Sequence, residues 1–383
     1  MKKLVSFILV CVISCSLVLT GCGDDTSKET TNKIGEFDKT RVITDKGVFC
    51  NNENGFLKFY DYNSHKPDCN HTDEKECYAY TNEEIFGVYN DKIYIFDTDF
   101  KLSVRNLDGS NYSKLMTYCK KYNSSSDSSA LPFNCFAINN KLYVEYYAKV
   151  LDSKTGNEKK KAILSCINLE DNTEKIISEK DNSQYGFISI LDNYLYFVDY
   201  SSNTKDGNIT NEYKTDLILK KMNLKDNSIS SIYKDKLINF YFFNLFLFRF
   251  QFIFTPFLNY FDDTIYFYKN DDPANELYSM SLKNPKPKKT EYVVTYKDKR
   301  GNIVHNCKDY KLKLEKNNKI TSLPIKNEDL LAGFDGEANK DGFLFLSTKD
   351  NIKCENGTVN EGEYFYMTKD DFYNGKSNYY KVE

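Results

Sequence analysis

From Asp45 onward the chain keeps returning to one pattern, a turn of Asn or Asp followed by a short strand that is apolar at nearly every position. It reads Asn90-Asp91-Lys92-Ile93-Tyr94, Asn139-Asn140-Lys141-Leu142-Tyr143, Asp192-Asn193-Tyr194-Leu195-Tyr196 and Asp262-Asp263-Thr264-Ile265-Tyr266. Weaker copies are Asp45-Lys46-Gly47-Val48-Phe49 and Lys340-Asp341-Gly342-Phe343-Leu344. A second element follows most of them, a strand running into a polar turn. It reads Val104-Arg105-Asn106-Leu107-Asp108-Gly109, Cys166-Ile167-Asn168-Leu169-Glu170-Asp171 and Lys221-Met222-Asn223-Leu224-Lys225-Asp226, with a looser version at Ser279-Met280-Ser281-Leu282-Lys283-Asn284. Asn and Asp suit such corners because their side chains bond the local backbone and tolerate left-handed geometry.

Six copies at intervals of about 45–80 residues define a repeat architecture. Ile93 to Phe96 and Leu195 to Val198 are apolar throughout, so both faces of these strands must be buried. A β-propeller supplies that environment, since each blade is covered on both sides by its neighbours. The expected fold is therefore all-β, a β-propeller of six to eight blades formed by residues 39–383, with two or three packed β-sandwiches as the alternative. The second element, carrying Arg105 and Lys221, is placed nearer the blade's outer edge, and Cys166 at the same register reads as core packing. Tyr310-Lys311-Leu312-Lys313-Leu314 with the turn Asn317-Asn318 marks a candidate further blade. No stretch of the body holds a 3.6-residue period, which argues against long helices. From Leu237 to Leu258 the chain is far more apolar than its surroundings. Two core strands, a frame slip in AT-rich coding DNA and a membrane-inserting segment are its three readings, and Arg249 near the centre weighs against the last.

The chain opens with Met1-Lys2-Lys3 and an apolar run from Leu4 to Leu19, which reads as an export signal. Leu19-Thr20-Gly21-Cys22 resembles the lipobox of bacterial lipoproteins. That resemblance implies a signal peptide of residues 1–21, cleavage before Cys22 and a diacylglycerol with fatty-acyl (palmitate-type) chains on Cys22. Two chains are what stable anchoring takes. An ordinary secretory leader or an uncleaved anchor helix is the alternative. Residues 22–38 are polar and aperiodic, a flexible lipidated tether of about 20–25 Å mean reach. A first edge strand lying on the body is the other reading of this segment. The expected location is the extracytoplasmic face of the cell membrane, with the membrane itself as one partner.

Composition narrows the rest. Fifty-two basic residues face 55 acidic ones, with only four arginines and no basic cluster, so nucleic acid is excluded as a partner. The richness in Asn, Lys, Ile, Tyr and Phe resembles that of low-GC Gram-positive bacteria. Beyond the leader and Cys22 there are eight cysteines, an even number that permits disulfides in an exported chain. The densest cluster is His65-Lys66-Pro67-Asp68-Cys69-Asn70-His71, followed by Cys77. Here the chain resembles Firmicutes, clostridial-type cell-surface lipoproteins with propeller-like repeats, many of which carry Cys-x-x-Pro-x-Cys-x-His. Ser64 stands near where their first cysteine falls. Three readings of the cluster remain: a Cys69–Cys77 disulfide clip, two free thiols, or a zinc site through Cys69, His71, Cys77 and His65. The clip is the favoured one, and no metal or cofactor is assigned. His305 and Cys307 read as loop residues rather than ligands.

No Gly-x-Ser-x-Gly elbow, phosphate loop or Gly-x-Gly-x-x-Gly turn occurs. With four arginines and no tryptophan, the arginine triad and Asp boxes of sialidase-type propellers are missing too. No catalytic residue is assigned. The expected function is a binding module for a wall polymer, peptide or envelope protein. Its rival is a surface glycan hydrolase or lyase with paired carboxylates in the propeller funnel.

Overall fold

Each copy of the turn-and-strand pattern proves to be the first hairpin of an antiparallel sheet. A computed structural model of the chain describes residues 35–382, apart from 39–40, 45–46, 52–56, 62–82, 125, 153–154, 182, 203–212, 241–258, 262, 270–275, 299, 308–311, 324–333 and 339–340. Sheet 1 holds Arg41–Ile43, Gly47–Asn51 and Leu57–Asp61. Sheet 2 holds Glu83–Tyr89, Lys92–Asp97, Lys101–Asn106 and Ser113–Thr117. Sheet 3 holds Ser128–Ile138, Lys141–Leu151, Glu158–Asn168 and Thr173–Asp181. Sheet 4 holds Ser183–Leu191, Tyr194–Ser202, Tyr213–Asn223 and Ile229–Phe240. Sheet 5 holds Asn259–Phe261, Thr264–Lys269, Glu276–Ser281 and Lys288–Lys289. Sheet 6 holds Tyr292–Lys297, Ile303–Cys307, Leu312–Lys316 and Lys319–Ser322. Sheet 7 holds Phe334–Glu337, Gly342–Leu346, Tyr364–Thr368 and Tyr380–Lys381. Sheet 6 is the blade marked by the turn Asn317-Asn318, so the repeat count rises from six to seven.

The sheets form a ring because each is covered on both faces. Val42, Phe49, Phe86 and Ile93 join sheets 1 and 2, and Tyr94, Phe96, Leu142 and Val144 join sheets 2 and 3. Tyr143, Leu164, Phe187 and Phe197 join sheets 3 and 4, and Val198, Leu219, Ile265 and Met280 join sheets 4 and 5. The first strands of sheets 5 and 6 touch, and Val304, Leu312, Phe343 and Phe365 join sheets 6 and 7. Val48 then packs with Leu344, Tyr366 and Val382, which closes sheet 7 on sheet 1. Among the described residues the seam is made by side chains, since the four described strands of sheet 7 all come from the C-terminal end. First strands contact first strands between sheets 1 and 2, 2 and 3, 3 and 4, and 5 and 6, which places them innermost. Among the described residues the fold is an all-β propeller of seven sheets.

The recurring turn chemistry of the repeat has a backbone cause. Asn90-Asp91, Asn139-Asn140 and Asp192-Asn193 all have positive φ at both positions, the geometry of two-residue type I′ hairpins. In sheets 3 and 4 the leucine after the third strand donates its N–H to the turn, Leu169 to the Asn140 carbonyl at 2.9 Å and Leu224 to Asn193 at 3.0 Å. Leu282 does the same to Asp263, and Lys369 to Asp341. The preceding Asn168 and Asn223 accept from the N–H two residues on, at 3.2 and 2.9 Å. First and third turns therefore lie together on one face of the ring, called here the hairpin face. Arg105, on a third strand expected near the outer edge, is buried.

One strand belongs to no repeat. The strand β1, Gly35–Asp38, pairs antiparallel with Glu83–Tyr89 on one side and Ser128–Ile138 on the other. It fuses sheets 2 and 3 into a single nine-stranded sheet. Phe37 is buried edge-on to Phe96, with ring centroids 6.0 Å apart. Two glycines make room for it. A Cβ on Gly35 would lie 2.9 Å from both the Tyr89 Cβ and the Val88 carbonyl oxygen, and a Cβ on Gly87 would enter the Phe37 ring. The segment read as tether therefore ends before Gly35, and its last four residues are part of the body.

Because the seam between sheets 7 and 1 has no shared strand, it depends on a few buried side chains. Leu344→Ala should cost about 2–5 kcal/mol by transfer and cavity terms. Equilibrium unfolding in urea should show a lowered midpoint, and an unchanged midpoint would mean that this seam does not hold the ring.

Candidate functional site

Sheets 3 and 4 are taller than their neighbours. The second strand of sheet 3 has 11 residues against 6 in sheet 2, a difference of about 17 Å at the usual rise. The two sheets are level at the hairpin face, where Asn90 Nδ2 donates to Asn140 Oδ1 at 3.2 Å and the Tyr89 hydroxyl accepts from the Asn140 N–H at 3.0 Å. The extra length of sheet 3 therefore projects from the opposite face. Sheet 4, with strands of 9 to 12 residues, stands beside it.

Between these two tall sheets the packing changes from apolar to polar along the strands. Near the hairpin face Tyr143, Phe136, Phe187 and Phe197 are in apolar contact, with Phe136 and Phe187 stacked at 5.8 Å. Further along comes Glu145, which is 1% exposed and accepts from Asn134 Nδ2 at 2.8 Å. A bulge between Glu145 and Tyr146 coincides with Pro132, which lacks the N–H a regular ladder would use. Burial pushes the Glu145 carboxyl up to about 8, outweighing the hydrogen bonds from Asn134 and the Phe187 backbone. It is a protonated acid at neutral pH.

Asp199 of sheet 4 has the opposite fate in the same layer. Its side chain is fully buried, and it accepts from Ser183 Oγ at 2.6 Å, Lys220 Nζ at 2.6 Å and Lys180 Nζ at 2.9 Å. Burial alone would raise its pKa, but the bonds from Lys220, Ser183 and Lys180 together hold it below the ordinary value. Lys180 comes from sheet 3, so Asp199 ties one sheet to the next. Tyr185 sits with both acids, its hydroxyl 2.9 Å from Ser178 Oγ and its pKa raised chiefly by burial. A neutral acid and an ionised carboxylate in one layer have the ingredients of acid–base chemistry. Here both Asp199 oxygens are already engaged, and both acids are sealed between sheets.

Beyond this layer the same face of sheet 3 runs out into solvent. Tyr147, Lys149 and Leu151 follow Glu145 at alternate positions, opposite Leu131, Ser129, Ala162, Lys160 and Glu158 on the flanking strands. Leu131 is 37% and Leu151 47% exposed, unusual for leucine in a strand. Lys160 Nζ lies 5.9 Å from the Tyr147 ring centroid, and its partial burial lowers its pKa. The result is an aromatic, apolar and cationic patch on the projecting edge.

Other carboxylates also act as ties, the half-buried Glu174 and the buried Asp298. Glu174 accepts from the Cys119 N–H at 2.6 Å, Ser165 Oγ at 2.7 Å and the Tyr146 hydroxyl at 2.9 Å. Asp298 of the first turn in sheet 6 accepts from the Tyr373 hydroxyl at 2.7 Å, joining sheets 6 and 7. His305 and Cys307, expected in a loop, lie in a strand of sheet 6 and are buried. His305 Nε2 is 2.8 Å from Glu315 Oε2, and its ring stacks on Tyr292 at 4.2 Å. Alternating residues of this strand face different neighbours, and the apolar Val304 just before His305 goes to sheet 7.

Cys22, Cys69, His71, Cys77 and His65 lie outside the described residues, as does 241–258 of the apolar stretch. Cys119, Cys135, Cys166, Cys307 and Cys354 are free thiols, and Cys166 packs against the core between sheets 3 and 4. Glu145 and Asp199 were not singled out from sequence. The available signal was a single acid inside a strand otherwise apolar on both faces, as in Val144-Glu145-Tyr146 and Val198-Asp199-Tyr200.

No protein-family model matches the chain, and no curated protein does. Among solved structures it is similar to the Pyrococcus horikoshii acylaminoacyl peptidase, with TM-score 0.44 and 11% identity over 93% of this chain. The chain spans 54% of that peptidase's length. It is also similar to the Neurospora crassa Pan2 WD40 domain, with TM-score 0.39 and 8% identity over 84% of this chain and 88% of that one. The six-bladed Aleuria aurantia lectin gives TM-score 0.31 and 9% identity over 76% and 95%. Likenesses this distant concern fold alone.

The folded protein keeps a proton on Glu145 that the unfolded chain loses above its ordinary carboxyl pKa. Stability should therefore fall as pH rises from the unfolded value toward about 8. Glu145→Gln, which carries no titrating group, should flatten that fall by about 2–4 kcal/mol between roughly pH 5 and pH 8. Urea unfolding of both proteins across this range checks it, and parallel pH profiles would show an ordinary Glu145.

Proposed function

We infer that this chain is a membrane-anchored extracytoplasmic lipoprotein whose propeller is a binding module for a cell-envelope ligand. The observation that carries the reading is the projecting patch of Leu131, Tyr147, Lys149, Leu151 and Lys160 on sheet 3. A half-buried aromatic ring with exposed leucines and lysines around it suits stacking on sugars and pairing with anionic groups of a wall polymer or acidic peptide. The lipobox Leu19-Thr20-Gly21-Cys22 supports attachment at the outer face of the membrane, within reach of such a ligand.

The rival, a glycan hydrolase or lyase, requires carboxylates that meet substrate. Glu145 and Asp199 are shut between sheets 3 and 4, and the Asp199 oxygens are taken by Lys180, Lys220 and Ser183. These two acids support a scaffold role.

Replacing Cys22 should separate location from binding. Cys22→Ala should lose labelling by a clickable fatty acid, and equal labelling of that variant would remove the anchor. For the module itself, purified mature protein should co-sediment with isolated cell-wall sacculi. Tyr147→Ala and Leu151→Asp should each weaken retention about fivefold or more, the loss typical of an interface anchor, with unchanged melting. Undiminished retention by both variants would move the binding surface elsewhere.

A further inference from the structure

We propose that the projecting face of sheet 3 recognises an anionic glycan, a sugar chain bearing phosphate or carboxylate groups. Lys149 and Lys160 together hold the anion, and Tyr147 stacks on the adjoining sugar ring. The inference rests on the binding reading above and assigns the class of ligand.

The charges of one strand carry it. Glu158–Asn168 brings three successive lysines, Lys159, Lys160 and Lys161. Lys159 pairs with Asp152, and Lys161 with Asp181 at 2.7 Å. Lys160, on the opposite face of the strand by alternation, has no carboxylate within ion-pairing distance among the described residues. It stands directly across the antiparallel ladder from Lys149. Like charges opposed in this way destabilise a sheet. One carboxylate serves the two lysines, Glu158, which is 3.7 Å from Lys149 Nζ. Burial lowers the Lys160 pKa against the pull of Glu158, and the charge of Lys149 lowers it further. The pair thus carries one positive charge in excess, on an ammonium already partly withdrawn from water. An anion set between the two Nζ groups would cancel their repulsion and replace the hydration that Lys160 has lost.

The surroundings of the pair select a sugar chain over a peptide. Tyr147 lies on the same face two residues before Lys149, about 7 Å along the strand. A pyranose ring with a charged substituent bridges such a gap, with the ring on Tyr147 and the charge at the lysines. Leu131 across from Tyr147 and Leu151 beyond Lys149 add apolar surface for the C–H faces of a second ring. A peptide docking as an added strand needs free backbone groups. Here Tyr147–Val150 is paired with 128–131 on one side and with 159–162 on the other. This face therefore offers a ring, alkyl groups and ammonium groups, and no backbone.

The test sets soluble polymers against sacculi for the purified mature protein. Polygalacturonate is an anionic sugar chain, poly-L-glutamate an anionic peptide and dextran a neutral sugar chain. Polygalacturonate should displace the protein at about tenfold lower concentration than either of the others, since it alone engages both ring and lysines. Equal displacement by poly-L-glutamate or by dextran overturns the proposal, as does no displacement by polygalacturonate. Sacculi stripped of phosphodiester-linked polymers with cold hydrofluoric acid, and sacculi with amidated carboxylates, separate the two sources of the anion. Retention should fall on one of them, and full retention on sacculi treated both ways overturns the proposal. Lys149→Met and Lys160→Met keep the alkyl stems and should each weaken retention about fivefold. The double variant should lose little more than either, about tenfold at most, because one anion engages both lysines. Lys160→Arg should stay within about twofold of the parent. The urea midpoint of Lys160→Met should hold or rise, since a repulsion is removed, so its lost retention is not lost folding. A protein that sediments but keeps full retention in both lysine variants fails the proposal alone. One that never sediments with sacculi fails the binding reading and the proposal with it.

Discussion

Strands that are apolar on both faces cannot end a structure. Ile93 to Phe96, Leu195 to Val198 and Phe343 to Phe345 must each be covered from two sides, and a sheet that supplies one cover exposes its own far face in turn. The only arrangement without an uncovered sheet is a closed ring, and the last contact, Val48 on Leu344 and Tyr366, is what makes it closed. Burial of each large apolar side chain contributes about 1.5–3 kcal/mol, so leaving one such face in water would outweigh the margin by which domains of this kind are stable. Closure is thus a condition for the rest.

Polar groups adjust the ring where apolar packing runs out. Toward the projecting end of sheets 3 and 4, aromatic contacts give way to Glu145 with Asn134 and to Asp199 with Lys180, Lys220 and Ser183. A buried ion pair adds little net stability over well-packed hydrocarbon, but losing one partner is costly. Such ties fix how sheets meet more than how strongly they meet. Glu174 and Asp298 do the same elsewhere, each collecting several donors from distinct segments.

The sequence disclosed the parts governed by short-range rules. Asn-Asp turns, the apolar second strands and the Asn-Leu pair after the third strand were all legible, because a type I′ hairpin and a carbonyl-to-leucine hydrogen bond need those residues at those spacings. Three features were not legible, each for a long-range reason. Gly35–Asp38 is polar and short, and becomes a strand only because two inner edges lie open to it. The first hairpin of sheet 6, whose later turn Asn317-Asn318 did mark the blade, closes through a longer turn from Asp298 to Asn302 in place of the usual pair, and His305 reads as polar until Tyr292 and Glu315 enclose it. Asp199 resembles any acid beside a turn until Lys180 and Lys220, from other strands, converge on it.

The placement of β1 also decides how the ring bears force. A pull on the N-terminus arrives at Gly35 and passes into the hydrogen bonds of Glu83–Tyr89 and Ser128–Ile138 together. Because β1 lies along these strands, the pull loads its bonds in shear, all at once, rather than opening them one after another. The seam between sheets 7 and 1, which has no shared backbone bonds among the described residues, lies outside that path. Force entering at Gly35 would be borne by a joint of backbone hydrogen bonds and would spare one held by side-chain packing.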